Sequence, residues 1–169
     1  MKKILLITFI LFTTLASNAQ SSTEVSSAEV KFIFVNNDVD GTLTGFNSSS
    51  SIDLENLENS KFKGSVQVET ISTGNSIRNW SLRRSKYFDA DTYPKITFES
   101  SSIESNGNFF DVKGNLTIRN VTKVVTFKFS KDGKKLTGKS TIYSSDYGIE
   151  IKSKREQNKV DITIVLQLK

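Results

Sequence analysis

The sequence predicts an all-β fold, an antiparallel barrel or sandwich, and three observations support this prediction. Apolar and polar residues alternate with period two in segment after segment, as expected for strands with one buried face. Turn-forming dipeptides separate several of these segments. One stretch, residues 74–88, lacks the alternation. The pattern therefore indicates many short strands with one insert of another kind.

The predicted strands follow one another along the chain with short connections. The longest clean alternation is 110–118, where apolar side chains occupy every second position. Turn signals occur at Asp40-Gly41, Asn106-Gly107 and Asp132-Gly133. In chain order, the predicted strands are 30–34, 42–46, 51–54, 66–71, 96–99, 110–118, 125–129, 136–143 and 160–168.

We predict a short helix around 75-86, within the stretch that lacks alternation. Ile77, Trp80 and Phe88 are nearer to helical spacing than to strand alternation. Asn75 is suited to cap the first turn, because its side-chain oxygen can accept from a free backbone N–H. We expect this helix to cover the mouth or one end of the barrel.

The N-terminus has the three-part pattern of a secretory signal peptide. Two lysines after the initiator methionine precede an apolar run at 4–15, and small residues follow in Ser17-Asn18-Ala19. The run is shorter than the roughly 20 residues of a membrane span, although an uncleaved anchor is the alternative. We therefore expect a signal peptide at 1-19 and a single domain at 20-169. The mature protein would be exported and soluble, periplasmic or extracellular, with no integral membrane span.

Composition excludes several classes of chemistry. The 169 residues include no Cys and no His, which removes disulfides, thiolate nucleophiles, imidazole catalysis and His-bound or Cys-bound metals. Removal of the signal peptide takes away two lysines and lowers the formal net charge from +5 to +3. Because the remaining basic and acidic residues are interspersed, nucleic acid is not an expected partner. Asp89 and Asp91 are the remaining acid–base candidates, but they fall in a predicted loop. We expect no enzyme activity, no cofactor and no metal.

Several stretches together resemble the YceI-like family, whose members have a lipocalin-like fold and bind polyisoprenoid-type lipids. The two most specific are the strings from Tyr87 to Ser100 and from Val112 to Val125, which contain Tyr-Pro-Lys-Ile-Thr-Phe and Gly-Asn-Leu-Thr-Ile. The resemblance also includes 30–46, 66–75 with Arg78 and Leu82, and 145–149. It implies an antiparallel lipocalin-like β-barrel of about eight strands with the short helical insert.

Three departures from the family pattern concern polar groups. Arg78-Asn79 stands where the family often has Arg-Asp, and Asn36-Asn37 occupies the region of a frequent His. Ser144 or Ser145 replaces a late-strand Arg. Because these changes affect polar contacts and leave the apolar strand faces unchanged, the resemblance implies binding of a lipid tail more directly than recognition of a headgroup.

The resemblance implies a long apolar, polyisoprenoid-like chain held inside the barrel for carriage or sequestration. The alternative is a filled barrel that serves as a non-enzymatic structural or protein-interaction domain of the cell envelope. A homodimer is compatible with either role. The predicted ligand-binding residues are the apolar strand positions and the insert residues Phe32, Phe34, Phe46, Val66, Val68, Arg78, Trp80, Leu82, Phe88, Phe98, Leu116, Ile118, Phe127 and Phe129.

Overall fold

A computed structural model describes residues 22–107 and 109–169. The predicted signal peptide lies outside the described residues. The described part contains strands and one α-helix with the bounds β1 Ser22–Thr23, β2 Val25–Phe34, β3 Val39–Leu43, β4 Asn47–Ser48, β5 Ile52–Asp53, β6 Lys63–Gln67, α1 Ser76–Arg83, β7 Lys95–Asn106, β8 Phe109–Ile118, β9 Val121–Asp132, β10 Lys135–Tyr143 and β11 Lys159–Leu168.

Nine of the strands form one antiparallel sheet with the order β3-β2-β11-β10-β9-β8-β7-β6-β4. Consecutive strands from β6 to β11 are neighbours and form a meander. Short turns join β7 to β8, β8 to β9 and β9 to β10, whereas residues 68–94, which contain helix α1, connect β6 to β7, and residues 144–158 connect β10 to β11. The short strands β1 and β5 pair separately with each other. The predicted antiparallel all-β fold is confirmed, with nine strands in the main sheet where about eight were expected.

The two edges of this sheet meet, because β3 and β4 are consecutive in the chain. Gly45 between them has a φ of +65°, a conformation that glycine adopts without the strain of a side chain. Around this bend, Thr42 and Ser72 exchange backbone hydrogen bonds of 2.8 and 3.0 Å, and the Gln67 N–H donates to the Thr44 carbonyl at 3.0 Å. The sheet therefore curls into a barrel, as predicted.

One end of the barrel is filled by phenylalanine rings. Phe110 and Phe129 stack with their centroids 5.4 Å apart, and Phe62 lies 5.3 Å from Phe129. Ile52 and Leu136 are fully buried in the same cluster. Phe62 and Ile52 come from the segment that contains β5, so this segment closes the barrel at the end where the β7–β8 and β9–β10 turns lie.

Two local predictions are wrong. Asp40-Gly41 is part of β3, and the turn lies before it, at Val35–Asn37, with Asp38 at a φ of 50°. Gly41 is needed for a close approach instead, because a Cβ there would overlap the ring of Phe32. The strand predicted over 66–71 ends at Gln67, since the backbone turns into a 3-10 helix over the next three residues.

The insert is the helix that was predicted. Helix α1 begins after Asn75, whose side-chain oxygen accepts a hydrogen bond from the Arg78 N–H at 2.9 Å. This N-cap satisfies one of the backbone donors that the first turn leaves free. The helix lies at the end of the barrel opposite the phenylalanine cluster, beside the β8–β9 turn and the β10–β11 connection.

Candidate functional site

A cavity of about 660 Å³ lies inside the barrel. Phe127 and Phe129 belong both to the aromatic cluster and to the cavity wall, so the cluster forms the floor. At the other end the wall includes Asn37, Ile77 and Ile151, which are exposed to solvent. The cavity is therefore closed at its floor and has its mouth at the end of the barrel where helix α1 lies.

The structure brings together twelve of the fourteen predicted ligand-binding residues along this cavity. Eight of them are strand residues whose apolar side chains point inward because alternate positions of a strand face the same side. Phe46 and Phe88 come from loops. Arg78 and Leu82 come from helix α1. The twelve are Phe32, Phe34, Phe46, Val66, Arg78, Leu82, Phe88, Phe98, Leu116, Ile118, Phe127 and Phe129.

The other two predicted residues, Val68 and Trp80, do not line the cavity. Val68 is 2% exposed, but it lies in the 3-10 helix after β6, where strand alternation no longer sets its direction. Trp80 is 58% exposed and the Arg84 guanidinium lies 4.6 Å from its ring centroid. At 3.6 residues per turn, Trp80 lies about 160° around α1 from Arg78 and Leu82, which line the cavity.

Sequence reasoning missed a wall of the cavity on β11. Val160, Ile162, Ile164 and Leu166 are neighbouring inward positions of this strand. Their alternation is plain in the sequence, so the period-two rule that selected the other strands also identifies them. Further lining residues that were missed include Leu43, Ile96, Ile142, Tyr147 and Ile149.

The cavity wall is almost free of charge. Among the described residues that line it, the charged ones are Lys63 and Arg78. The Lys63 ammonium pairs with Glu99 at 2.8 Å, and the Arg78 guanidinium is engaged by the backbone and side chain of Thr73. A buried ion without a partner would be costly in such a space. The interior is therefore suited to an uncharged, apolar occupant.

A compact hydrogen-bond network surrounds Thr73 at the mouth. Arg78 donates from Nε to the Thr73 hydroxyl and from Nη2 to the Thr73 carbonyl, both at 2.7 Å. The Asn79 side-chain oxygen accepts from the Thr73 N–H at 2.8 Å and from its hydroxyl at 2.7 Å. These bonds hold the start of helix α1 against the preceding loop and fix the position of the mouth.

Tyr147 is an unusual polar residue of the wall. It is 2% exposed, and its hydroxyl has no hydrogen-bond partner among the described residues. Burial, with a smaller contribution from the neighbouring Asp146 carboxylate, raises the pKa of Tyr147 to about 12. Arg155 donates to both oxygens of Asp146, at 2.7 and 2.6 Å, and these bonds lower the pKa of Asp146. Tyr147 is therefore neutral at physiological pH.

A family model described as a YceI-like domain matches residues 16–168. The chain belongs to the YceI-like family. The family resemblance inferred from the sequence is thus confirmed over almost the whole domain.

Curated relatives of this YceI-like protein are moderately similar. A UPF0312 protein of Pseudomonas aeruginosa strain PAO1 is 29% identical over 121 residues, which cover 66% of this chain and 63% of the relative. Protein YceI of Salmonella arizonae is 30% identical over 88 residues, 52% of this chain and 46% of the relative. The chain thus matches less than two thirds of the length of these relatives.

Solved structures of similar proteins have the same fold. BcnA of Burkholderia cenocepacia matches with a TM-score of 0.74 and 23% identity over 85% of this chain and 98% of its own. A domain of Saccharophagus degradans, described as a polyisoprenoid binding domain implicated in plant cell wall breakdown, matches with a TM-score of 0.61 and 16% identity over 88% and 97%. This YceI-like domain is a lipocalin-like antiparallel barrel.

The structure explains how the YceI-like domain accommodates one departure from the family pattern. Asn79 stands where the family often has Asp, and its side-chain oxygen accepts both hydrogen bonds from Thr73. Both of those bonds need only an acceptor, which an amide oxygen supplies as a carboxylate would. The neighbouring Arg78 is satisfied by the same threonine. The exchange therefore keeps the network at the mouth and removes one negative charge.

Within 22–107 and 109–169, no helix combines the length and hydropathy that crossing a membrane would require. The same ranges contain no group of three or more His, Cys, Asp or Glu side chains arranged to hold a metal ion.

Proposed function

We propose that this YceI-like domain binds a long apolar, polyisoprenoid-like chain inside its barrel, for carriage or sequestration. The observation that carries the proposal is the cavity of about 660 Å³, with apolar walls, an aromatic floor and an open mouth. Its volume falls in the range of about 300–1,000 Å³ that small-molecule sites occupy. The filled barrel of the alternative hypothesis does not agree with this interior.

The hydrophobic effect supplies the affinity. Each CH₂ group buried from water contributes about 0.8 kcal/mol, so ten buried carbons contribute roughly 8 kcal/mol before the costs of ordering and association. Micromolar binding requires about 8 kcal/mol net. A useful ligand must therefore bury more than ten carbons, which favours a chain of more than two isoprene units.

The comparisons support this class of ligand. The domain of Saccharophagus degradans that shares the fold is described as polyisoprenoid binding. Among the residues that the structure describes, the cavity wall offers no cluster of charges that would favour a polar substrate. We therefore propose a binding protein that performs no chemistry on its ligand.

We further propose that the protein is exported to the periplasm or the extracellular space after removal of residues 1–19. The charged start, the apolar run and the small residues before Gln20 support this location. An N-terminus at Gln20 in the protein isolated from its host would agree with it.

The binding proposal is tested on protein purified from its own host. We expect an organic extract to contain a long-chain apolar molecule, in a stoichiometric amount, by mass spectrometry. Ile162→Trp narrows the cavity, because Ile162 lies on its wall, and we expect the amount of extracted molecule to fall at least tenfold.

Ile33→Trp is the matched control. Ile33 is an exposed isoleucine on β2, one position along from the residue that pairs with Ile162, and its exchange should leave the extract unchanged. An empty extract from the wild-type protein, or a stoichiometric protein partner with no lipid, would contradict the proposal and favour a protein-interaction domain.

A further inference from the structure

Helix α1 exposes two large apolar side chains beside the cavity mouth. Ile77 is 78% exposed and Trp80 is 58% exposed. Neither belongs to the buried clusters that hold the barrel together or to the residues packed against them. Single exposed apolar residues are normal on protein surfaces, but two of this size, one turn apart on an eight-residue helix, form a patch. Ile77 also lines the cavity, so the patch is continuous with the mouth.

Helix α1 and the segment that follows it up to Phe88 carry only basic side chains, and the acidic residues Glu69 and Asp89 flank this stretch. Residues 70–88 contain four basic side chains and no acidic one. Arg78 and Arg83 are engaged within the fold, by Thr73 and by Glu69 respectively. Arg84 and Lys86 form no ion pair with any residue that the structure describes, and each lies over an aromatic ring.

We infer that the surface formed by Ile77, Trp80, Arg84 and Lys86 docks on anionic lipid bilayers and places the cavity mouth against the membrane. Trp is favoured at membrane interfaces because its ring is apolar and its N–H needs a polar partner. Basic side chains beside it are attracted to the negative lipid headgroups. In the docked state, a lipid tail would pass from the bilayer past Ile77 into the cavity. The transfer of a lipid tail into the cavity rests on the proposed function, whereas the docking itself does not.

Charge complementarity favours a bilayer over a second copy of the chain. A symmetric dimer through this surface would bring Arg84 and Lys86 near the same residues of the other copy, and like charges would repel. An anionic bilayer presents the opposite sign over the whole patch. We therefore assign an anionic lipid bilayer as the partner of this docking surface.

Trp80 reports on the docking directly, because it is the only tryptophan in the chain. The wild-type protein is mixed with phosphatidylcholine vesicles, with or without phosphatidylglycerol. We expect the emission of Trp80 to shift to the blue, and to be quenched by lipids brominated on their acyl chains, only when phosphatidylglycerol is present.

Two variants test the charges and the apolar patch. The double variant Arg84→Gln with Lys86→Gln should bind the mixed vesicles about thirtyfold more weakly, since each basic side chain near an anionic surface contributes about 1 kcal/mol. Trp80→Ala should reduce co-sedimentation with the vesicles. Because all three residues are exposed, the variants are expected to fold, and thermal denaturation checks this.

The opposite end of the barrel provides a matched control. Phe109 is 46% exposed, and the Lys128 ammonium lies 4.9 Å from its ring centroid. Phe109→Ala with Lys128→Gln therefore removes an exposed aromatic–cation pair like that of Trp80 and Arg84, and we expect vesicle binding to be unchanged.

Several outcomes would overturn the docking surface: unchanged Trp80 emission, equal losses in the control, or a dimer or protein complex that depends on Trp80 while vesicles are not bound. The lipid content of the purified variants separates this inference from the proposed function. Vesicle docking with an empty cavity contradicts only the proposed function, and a filled cavity without docking contradicts only the inference.

Discussion

At the scale of single residues, the Tyr147 hydroxyl is the least favourable polar group of the cavity wall. It is buried without a hydrogen-bond partner among the described residues. A buried donor that loses its water without gaining a partner costs about 1–3 kcal/mol. The ring itself packs in the cluster of Leu116, Ile118, Ile142 and Ile149. The ring therefore stabilises the barrel and the hydroxyl opposes that contribution.

We expect Tyr147→Phe to raise the free energy of unfolding by about 1 kcal/mol, because it removes the unpaired hydroxyl and keeps the ring. Urea denaturation at neutral pH measures this change. Tyr93→Phe, at a half-buried tyrosine outside the cavity, is the control and should change stability less. A loss of stability in Tyr147→Phe would mean that the hydroxyl has a partner, such as an internal water.

The same residue predicts how stability depends on alkaline pH. The pKa of Tyr147 is about 12 in the folded chain, against its ordinary value of 10.0. The unfolded chain therefore releases the proton first, and the folded state loses stability as pH rises from about 10 to 12. Denaturation curves measured across this range should show a smaller decrease for Tyr147→Phe than for the wild-type protein. Parallel decreases would contradict the assignment of this transition to Tyr147.

At the scale of secondary-structure elements, ion pairs join β6 to β7. Glu99 of β7 accepts from Lys63, its partner in the register of β6, at 2.8 Å and from Lys61 at 2.9 Å. Hydrogen bonds from these two ammonium groups lower the pKa of Glu99 to about 2, from an ordinary value of 4.5. The Glu99 carboxylate therefore links two strands that form the wall of the cavity next to the bend at Gly45.

This pKa predicts a loss of stability in acid. The contribution of the Glu99 carboxylate is complete above pH 4.5 and is lost as pH falls from 4.5 to about 2, because the unfolded chain takes up the proton first. We expect the denaturation midpoint of the wild-type protein to decrease over this interval more steeply than that of Glu99→Gln. Glu104→Gln, at an exposed position of the same strand, should keep the wild-type slope. Identical slopes for the wild-type protein and Glu99→Gln would exclude the Glu99 carboxylate as a cause of the loss of stability in acid.

The elements also show what the sequence could and could not predict. Strands such as 110–118 were predictable because one buried face imposes a period of two, and the same rule identified eight strand residues of the cavity wall. Trp80 was grouped with the cavity residues, although it does not line the cavity, because the pattern identifies a helix without showing which face meets the barrel. Gly41 was taken for a turn residue because a dipeptide pattern does not reveal the nearby ring of Phe32. These errors concern contacts between distant segments, which local patterns do not contain.

At the scale of the whole molecule, the interior is divided into a filled part and a hollow part. Phe62, Phe110, Phe127 and Phe129 fill one end, and the remaining strand faces enclose the cavity. Alternation predicts that Phe110, Phe127 and Phe129 point inward, but it cannot predict how much of the space the side chains occupy. That depends on the segment from Ile52 to Phe62, which brings additional apolar groups to one end only. The hollow is thus a property of the complete tertiary structure.

A hollow interior predicts that ligand binding and stability are linked. A ligand that binds only the folded state raises the free energy of unfolding, by about 2.7 kcal/mol when its free concentration is a hundred times its dissociation constant. We expect protein that has been stripped of lipid by unfolding in denaturant and refolding to melt at a lower temperature than protein isolated from its host. Addition of the polyprenol solanesol should restore the melting temperature, whereas geraniol, with two isoprene units, should not.

Ile162→Trp should not respond to solanesol, because its cavity is narrowed, and Ile33→Trp should respond as the wild type does. A melting temperature that is the same before and after lipid removal would show that the natural occupant makes no contribution to the folded state, which would contradict a ligand buried along the apolar wall.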